Sequence, residues 1–92
     1  MNVVYTDEAL HDLDDILIYI ASHFPTAYQG FEWQLLAIER RIGQWPRSAR
    51  QVAGRPGVRV VPLIRYPYNV FYQVTSNSVE ILHIRHSARQ EP

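Results

Sequence analysis

"VRVVPLIRYPYNVFYQVTSNSVEILHIRH", residues 58–86, decides the fold. Apolar side chains recur at every second position in three runs: Val58 to Tyr66, Asn69 to Thr75, and Val79 onward. A period of two is the strand signature, because successive side chains on an extended backbone point to opposite faces. The runs are divided by "YPY" and "SNS", both turn chemistries, and Asn77 suits a tight hairpin turn. Three strands joined so closely predict an antiparallel meander. Pro62 has no N–H for a ladder and implies a bulge or an edge position in the first of them.

Upstream, "PRSARQVAGRPG" (Pro46 to Gly57) has no period and is rich in Arg, Pro and Gly, so it reads as a long loop. Before it the period changes to that of helices. Phe31, Leu35, Ile38, Ile42 and Trp45 follow one another at intervals of four and three, a heptad seam that Pro46 closes. Thr26 is the expected cap of that helix. A first helix carries Leu10, Leu13, Leu17, Ile20 and Phe24 as its apolar stripe and stops before Pro25. Thr6 is placed to cap it, with Asp7 and Glu8 in the first turn, where the helix dipole favours negative charge. "NVVY" (Asn2 to Tyr5) is a short β-branched run and predicts an opening strand. Two helices joined by so short a turn form an antiparallel hairpin, and a sheet must cover their remaining apolar surface. The expected fold is α+β, in the order β-α-α-β-β-β, with the helical hairpin packed on a mainly antiparallel four-stranded sheet. Residues 1–92 make one domain.

Composition narrows the function. The chain has 92 residues, 47% hydrophobic and 12% aromatic, which is globular rather than disordered. It has no cysteine, which excludes disulfides and thiolate metal sites. "MNVVYTDEAL" lacks the positive region of a signal peptide, and the apolar run Ile16 to Ala21 is too short to span a bilayer. A cytoplasmic location is expected. The net charge of zero conceals a segregation. Asp7, Glu8, Asp12, Asp14, Asp15, Glu32 and Glu39 fall within residues 1–39, which hold no Lys or Arg. All nine basic residues, every one an arginine, lie in residues 40–92 against only Glu80 and Glu91. Such a split suggests a basic surface built by the second half.

Few motifs carry chemistry. His83 and His86 are three apart, a spacing that sends strand residues to opposite faces, and no acid lies between Glu39 and Glu80. No metal and no cofactor are expected. The serines sit in no elbow-like context, and "GRPG" lacks the lysine and following helix of a phosphate loop. The arginines are better candidates. Arg59, Val61, Leu63 and Arg65 would share one strand face, and His83 would share another with Arg85. Guanidinium groups fixed on strands clamp phosphates or meet acidic partners. The alternative is that Arg59 and Arg65 are solvated or paired with the acidic first helix. His86 should follow Leu82 and Ile84 toward the core side or its rim and tie down the tail by a hydrogen bond. Tyr66, Tyr68, Phe71 and Tyr72 read as core and turn residues rather than as a base-stacking platform.

Three blocks of the chain resemble the RelE/ParE superfamily, the toxins of bacterial type II toxin–antitoxin modules. They are "YTDEALHDLDDILIYIA", "GRPGVRVVPLIRYPYNVFYQV" and "VEILHIRHSAR", and with their order and spacing the resemblance extends over nearly the whole chain. The resemblance implies the same β-α-α-β-β-β fold, growth inhibition, and a cognate antitoxin that wraps the toxin. It also implies basic residues on the concave sheet and near the C-terminus, facing the target. The RelE-like branch cuts messenger RNA on the ribosome. Here Arg59, Arg65 and Arg85 would serve as its phosphate-binding cations, and His83 or His86 as its proton carrier. The chain departs from that branch in having no lysine, no carboxylate in residues 40–79, and no tyrosine after Tyr72. The ParE-like branch binds DNA gyrase and performs no chemistry. "HIRHSAR" is closer to that pattern, with Arg65, Arg85, His86 and Arg89 as the target-binding set. A third possibility is an inactive homologue that only binds its antitoxin.

Overall fold

The three period-two runs form the centre of one sheet. In the computed structural model, which describes residues 1–88, the strands are β1 (Asn2–Tyr5), β2 (Arg50–Gln51), β3 (Val58–Pro62), β4 (Tyr68–Val74) and β5 (Ser78–His86). Helices α1 (Asp7–His23) and α2 (Tyr28–Gln44) follow β1 in the chain. The sheet order is β1-β5-β4-β3-β2. β3, β4 and β5 make the antiparallel meander, and β1 lies parallel to β5, with Val3 opposite Val79. The α+β architecture is the one the residue pattern implied.

The sheet has five strands rather than four. The extra strand is β2, which lies within the stretch expected to be a loop and pairs Arg50 with Val60 and Gln51 with Arg59. Two residues carry no detectable period. Contacts elsewhere hold the segment in place. The Arg59 guanidinium donates to the carbonyls of Ala49 (2.7 Å) and Arg47 (3.3 Å), and the Tyr72 hydroxyl donates to the Pro46 carbonyl (2.7 Å). Gly57 closes the loop at φ +82, a left-handed conformation that glycine adopts without a Cβ penalty.

α2 packs as its heptad spacing requires. Phe31, Leu35, Ile38 and Ile42 are all buried and join Ile16, Ile20, Val61, Val70, Tyr72, Val79, Ile81 and Ile84 in the main core. Trp45, counted in the seam, instead sits at the C-cap and is 61% exposed. The helical rotation ends with the helix, so a residue past its last turn no longer follows the seam. Thr26 caps nothing. Pro25–Ala27 forms a 3-10 turn, and Ala27 takes the N-cap position with no side-chain hydrogen bond.

α1 corrects its expected stripe. Leu10 (48% exposed) and Phe24 (57%) face outward, whereas Ala9, Ile16 and Ile20 are buried and Leu13 and Leu17 pack against the core edge. The buried face is rotated toward small and β-branched residues that fit close to the sheet. Thr6 does cap α1, its hydroxyl oxygen accepting from the Ala9 N–H (3.1 Å).

β3 stops at Pro62, short of Arg65. Leu63 turns inward and its N–H donates to the Tyr68 carbonyl (2.9 Å), Ile64 is exposed, and Arg65 adopts φ 73 at the tip of the turn. Arg59, Val61, Leu63 and Arg65 therefore do not line one strand face. The tip leans on the start of α2, where the Ile64 N–H donates to Gln34 Oε1 (2.8 Å) and the Tyr66 ring meets Phe31 edge-on. Gly30 makes room there, since a Cβ on it would run into the Tyr66 hydroxyl.

Candidate functional site

β5 has two halves with different neighbours. Its first half, to Ile81, is flanked by β1 and β4. Beyond Ile81, β1 has ended and the ladder with β4 shifts, with Phe71 opposite His83 and Tyr72 opposite Ile81. The extra residue, Leu82, joins Phe71, Val58, Val60 and Val52 in a small apolar cluster separate from the main core. Past this bulge, the edge of β5 is covered by α1.

One side chain makes that cover possible. Asp12 Oδ2 accepts from the Ile84 backbone N–H (3.0 Å), taking the place of the strand that would otherwise have paired there. Its other oxygen accepts from the Arg85 guanidinium at 2.8 Å. Arg85 also donates to His83 Nδ1 (3.0 Å), and Glu8 lies 3.8 Å from both the arginine and the imidazole. A guanidinium can only donate, so in this contact His83 Nδ1 is the acceptor. Glu8 and Asp12 lie 3.8 and 3.9 Å from the same nitrogen. The result is a clamp: two acids of α1 hold the cation of β5, with the histidine as a wedge between them.

His86 lies across the strand from Tyr68, their rings edge to face at 5.4 Å, and its Nδ1 accepts from the Ala88 N–H at 3.2 Å. It is exposed, at the rim of the core side, the second of the two placements expected for it. Arg65 is exposed on the β3–β4 turn, on a different element from the clamp. Arg59 is occupied by loop carbonyls. Arg89 lies outside the described residues. Among the described residues of the sequence-selected set only His83 and Arg85 touch each other, and they meet acids rather than an open basic face, while His86 lines the same cleft as Arg85. Asp12 was missed as the organiser. Its signal was available in the spacing of Glu8, Asp12, Asp15, Tyr19 and His23, which forms a polar stripe along α1.

A second feature lies between the helices. Tyr5, Leu13, Leu17, Phe31, Leu35 and Leu36 line a groove of about 270 Å³. The Tyr5 hydroxyl donates to Glu39 at its edge, and burial, reinforced by that carboxylate, pushes the Tyr5 pKa above its usual range. No group of three or more metal-ligating side chains occurs among the described residues, and none of their helices is long and apolar enough to cross a membrane.

A family model described as the ParE toxin of the type II toxin–antitoxin system parDE matches residues 3–91. The chain belongs to the ParE toxin family. Toxin RelE2 of Caulobacter vibrioides is 35% identical to this ParE-family chain over 88 residues, covering 95% of the chain and 96% of that protein. Among solved structures, a chain of the chromosomal ParDE system of P. aeruginosa superposes with a TM-score of 0.78 at 23% identity, covering 94% of this chain and 95% of that one. The isolated E. coli RelE toxin gives 0.61 at 18% identity, covering 98% and 87%. At those identities the two structures speak for the fold alone. The chain is a toxin of a type II toxin–antitoxin system of the RelE/ParE superfamily, and membership implies a cognate antitoxin.

Proposed function

We propose that this toxin inhibits growth in the cytoplasm by binding DNA gyrase, with no chemistry of its own. The observation that carries this reading is the clamp. A nuclease needs a proton carrier and cations free to reach a scissile phosphate. Here His83 Nδ1 is filled by Arg85, Arg85 is held by Asp12, and Arg59 is bonded to loop carbonyls. In the proposed role Arg65, Arg85, His86 and Arg89 contact the target. Arg85 keeps 27% of its side chain exposed while anchored, so it can present a guanidinium in a fixed position. The antitoxin is assigned an apolar helix in the groove between α1 and α2, with acids that meet the arginines of the second half.

A RelE-like ribosome-dependent cleavage of messenger RNA is the second reading. It is favoured by the 3.0 Å approach of Arg85 to His83, which sets a cation beside an imidazole. Purified toxin assayed on gyrase supercoiling and on ribosomes carrying message separates the two. The proposal expects inhibited supercoiling and intact message, whereas cut message with unaffected gyrase overturns it. A chain that does neither and causes no growth arrest is an inactive homologue.

A further inference from the structure

A cleft of about 620 Å³ lies between α1 and the end of β5, and two of the residues along it, Arg85 and His86, also belong to the target-binding set proposed above. Its walls include Asp15, Tyr19, Tyr68 and His86, and the Asp12–Arg85 pair closes one end. Each of the three rings is fixed by a contact of its own. Tyr19 stacks on His23 with centroids 4.3 Å apart, Tyr68 packs edge-on against Phe31 at 5.7 Å, and His86 accepts from the Ala88 N–H. The walls are therefore preorganised, which lowers the entropy lost when something binds between them.

The charges specify what fits. Asp12 and Arg85 neutralise each other, and the His86 nitrogen facing its own tail is already used as an acceptor. Of the charged side chains along the cleft, Asp15 alone is uncompensated, its carboxylate making no hydrogen bond or ion pair among the described residues. Burial and the neighbouring Tyr19 push the Tyr68 hydroxyl up, so it stays a neutral phenol. One free carboxylate beside the exposed, electron-rich ring of Tyr19 attracts a cation, and a planar guanidinium matches both. The cleft is far larger than one such group, and exposed Phe24 extends the aromatic surface past Tyr19 and His23. The space suits a polypeptide that carries the cation.

We propose that this cleft is a docking site for an arginine side chain on a basic segment of a protein partner, held by Asp15 and by the exposed ring of Tyr19. This interaction has the opposite polarity to the one that acidic partners would make with the arginines of the second half.

The test uses the full chain and NMR titration with a short glycine–serine peptide bearing one arginine. Saturable shifts at Tyr19, Tyr68 and His86 are expected, with affinity falling about tenfold in both Asp15→Asn and Tyr19→Ala. Asp14→Asn, on the next exposed residue and outside the cleft, should bind as wild type does, and melting curves verify that all three variants fold. The proposal is overturned by an absence of saturable shifts, by equal binding of the same peptide with glutamate in place of arginine, or by unchanged affinity in Asp15→Asn. It is equally overturned if Arg89→Ala binds the peptide at least about tenfold more tightly, because the cleft would then be taken by this chain's own tail.

Discussion

α1 and α2 have 17 residues each and cover the same face of one sheet, yet they use their surfaces differently. α2 gives the core an unbroken apolar seam, Phe31, Leu35, Ile38 and Ile42. α1 gives it three buried residues and devotes the adjoining stripe, Glu8, Asp12, Asp15, Tyr19 and His23, to β5 and its cleft. One helix is scaffold. The other is scaffold along one stripe and site along the next. Apolar periodicity finds the first kind of surface, and polar periodicity is needed to find the second.

The same substitution on the two helices should therefore diverge. Leu35→Ala removes a buried side chain and leaves a cavity, and should cost about 2–5 kcal/mol. Leu10→Ala, on the outward face of α1, should stay within about 1 kcal/mol. Urea denaturation midpoints measure both, and equal losses would erase the distinction between the helices. Next in size is Asp12→Ala, which strips the Ile84 N–H of its acceptor and Arg85 of its counter-charge. A loss of about 1–3 kcal/mol is expected, partly restored in Asp12→Asn, whose amide oxygen can still accept from Ile84. If Asp12→Ala melts like wild type, the clamp is not structural.

Much of the fold was legible because regular patterns report repeated physical constraints. The meander followed from the period of residues 58–86, and the α2 core from its four–three spacing. Two features were not legible. β2 is two residues whose approach, residues 46–49, is held by Arg59 and Tyr72 from other strands, and no local pattern encodes a contact made so far along the chain. The site was misjudged for a related reason. His83 and Arg85 were evident as candidates, but their partners, Glu8 and Asp12, lie more than seventy residues away. The charge segregation between the halves was a clue to this internal pairing as well as to an external partner.

Smaller effects sharpen the picture at the groove and the turn. Tyr5 keeps its proton when an unfolded tyrosine, near pH 10.0, gives it up, so the unfolded chain binds fewer protons and stability falls as pH rises beyond that point. Burial shifts Tyr68 and Tyr72 in the same direction. Melting curves taken above pH 10.0 should show a shallower decline in Tyr5→Phe than in wild type. Arg65→Gly relieves a left-handed backbone at φ 73, and a gain of about 0.5–1 kcal/mol is expected in thermal melts, together with weaker growth arrest if Arg65 meets the target.

The central claim is that His83 belongs to a clamp and moves no proton. Inhibition of gyrase supercoiling by purified His83→Gln toxin tests it most directly, because glutamine can still accept from Arg85 but cannot act as a general acid or base near neutral pH. The account predicts inhibition within a few-fold of wild type. Loss of growth arrest in a folded His83→Gln protein, with wild-type toxin cutting ribosome-bound message and leaving gyrase active, would contradict it.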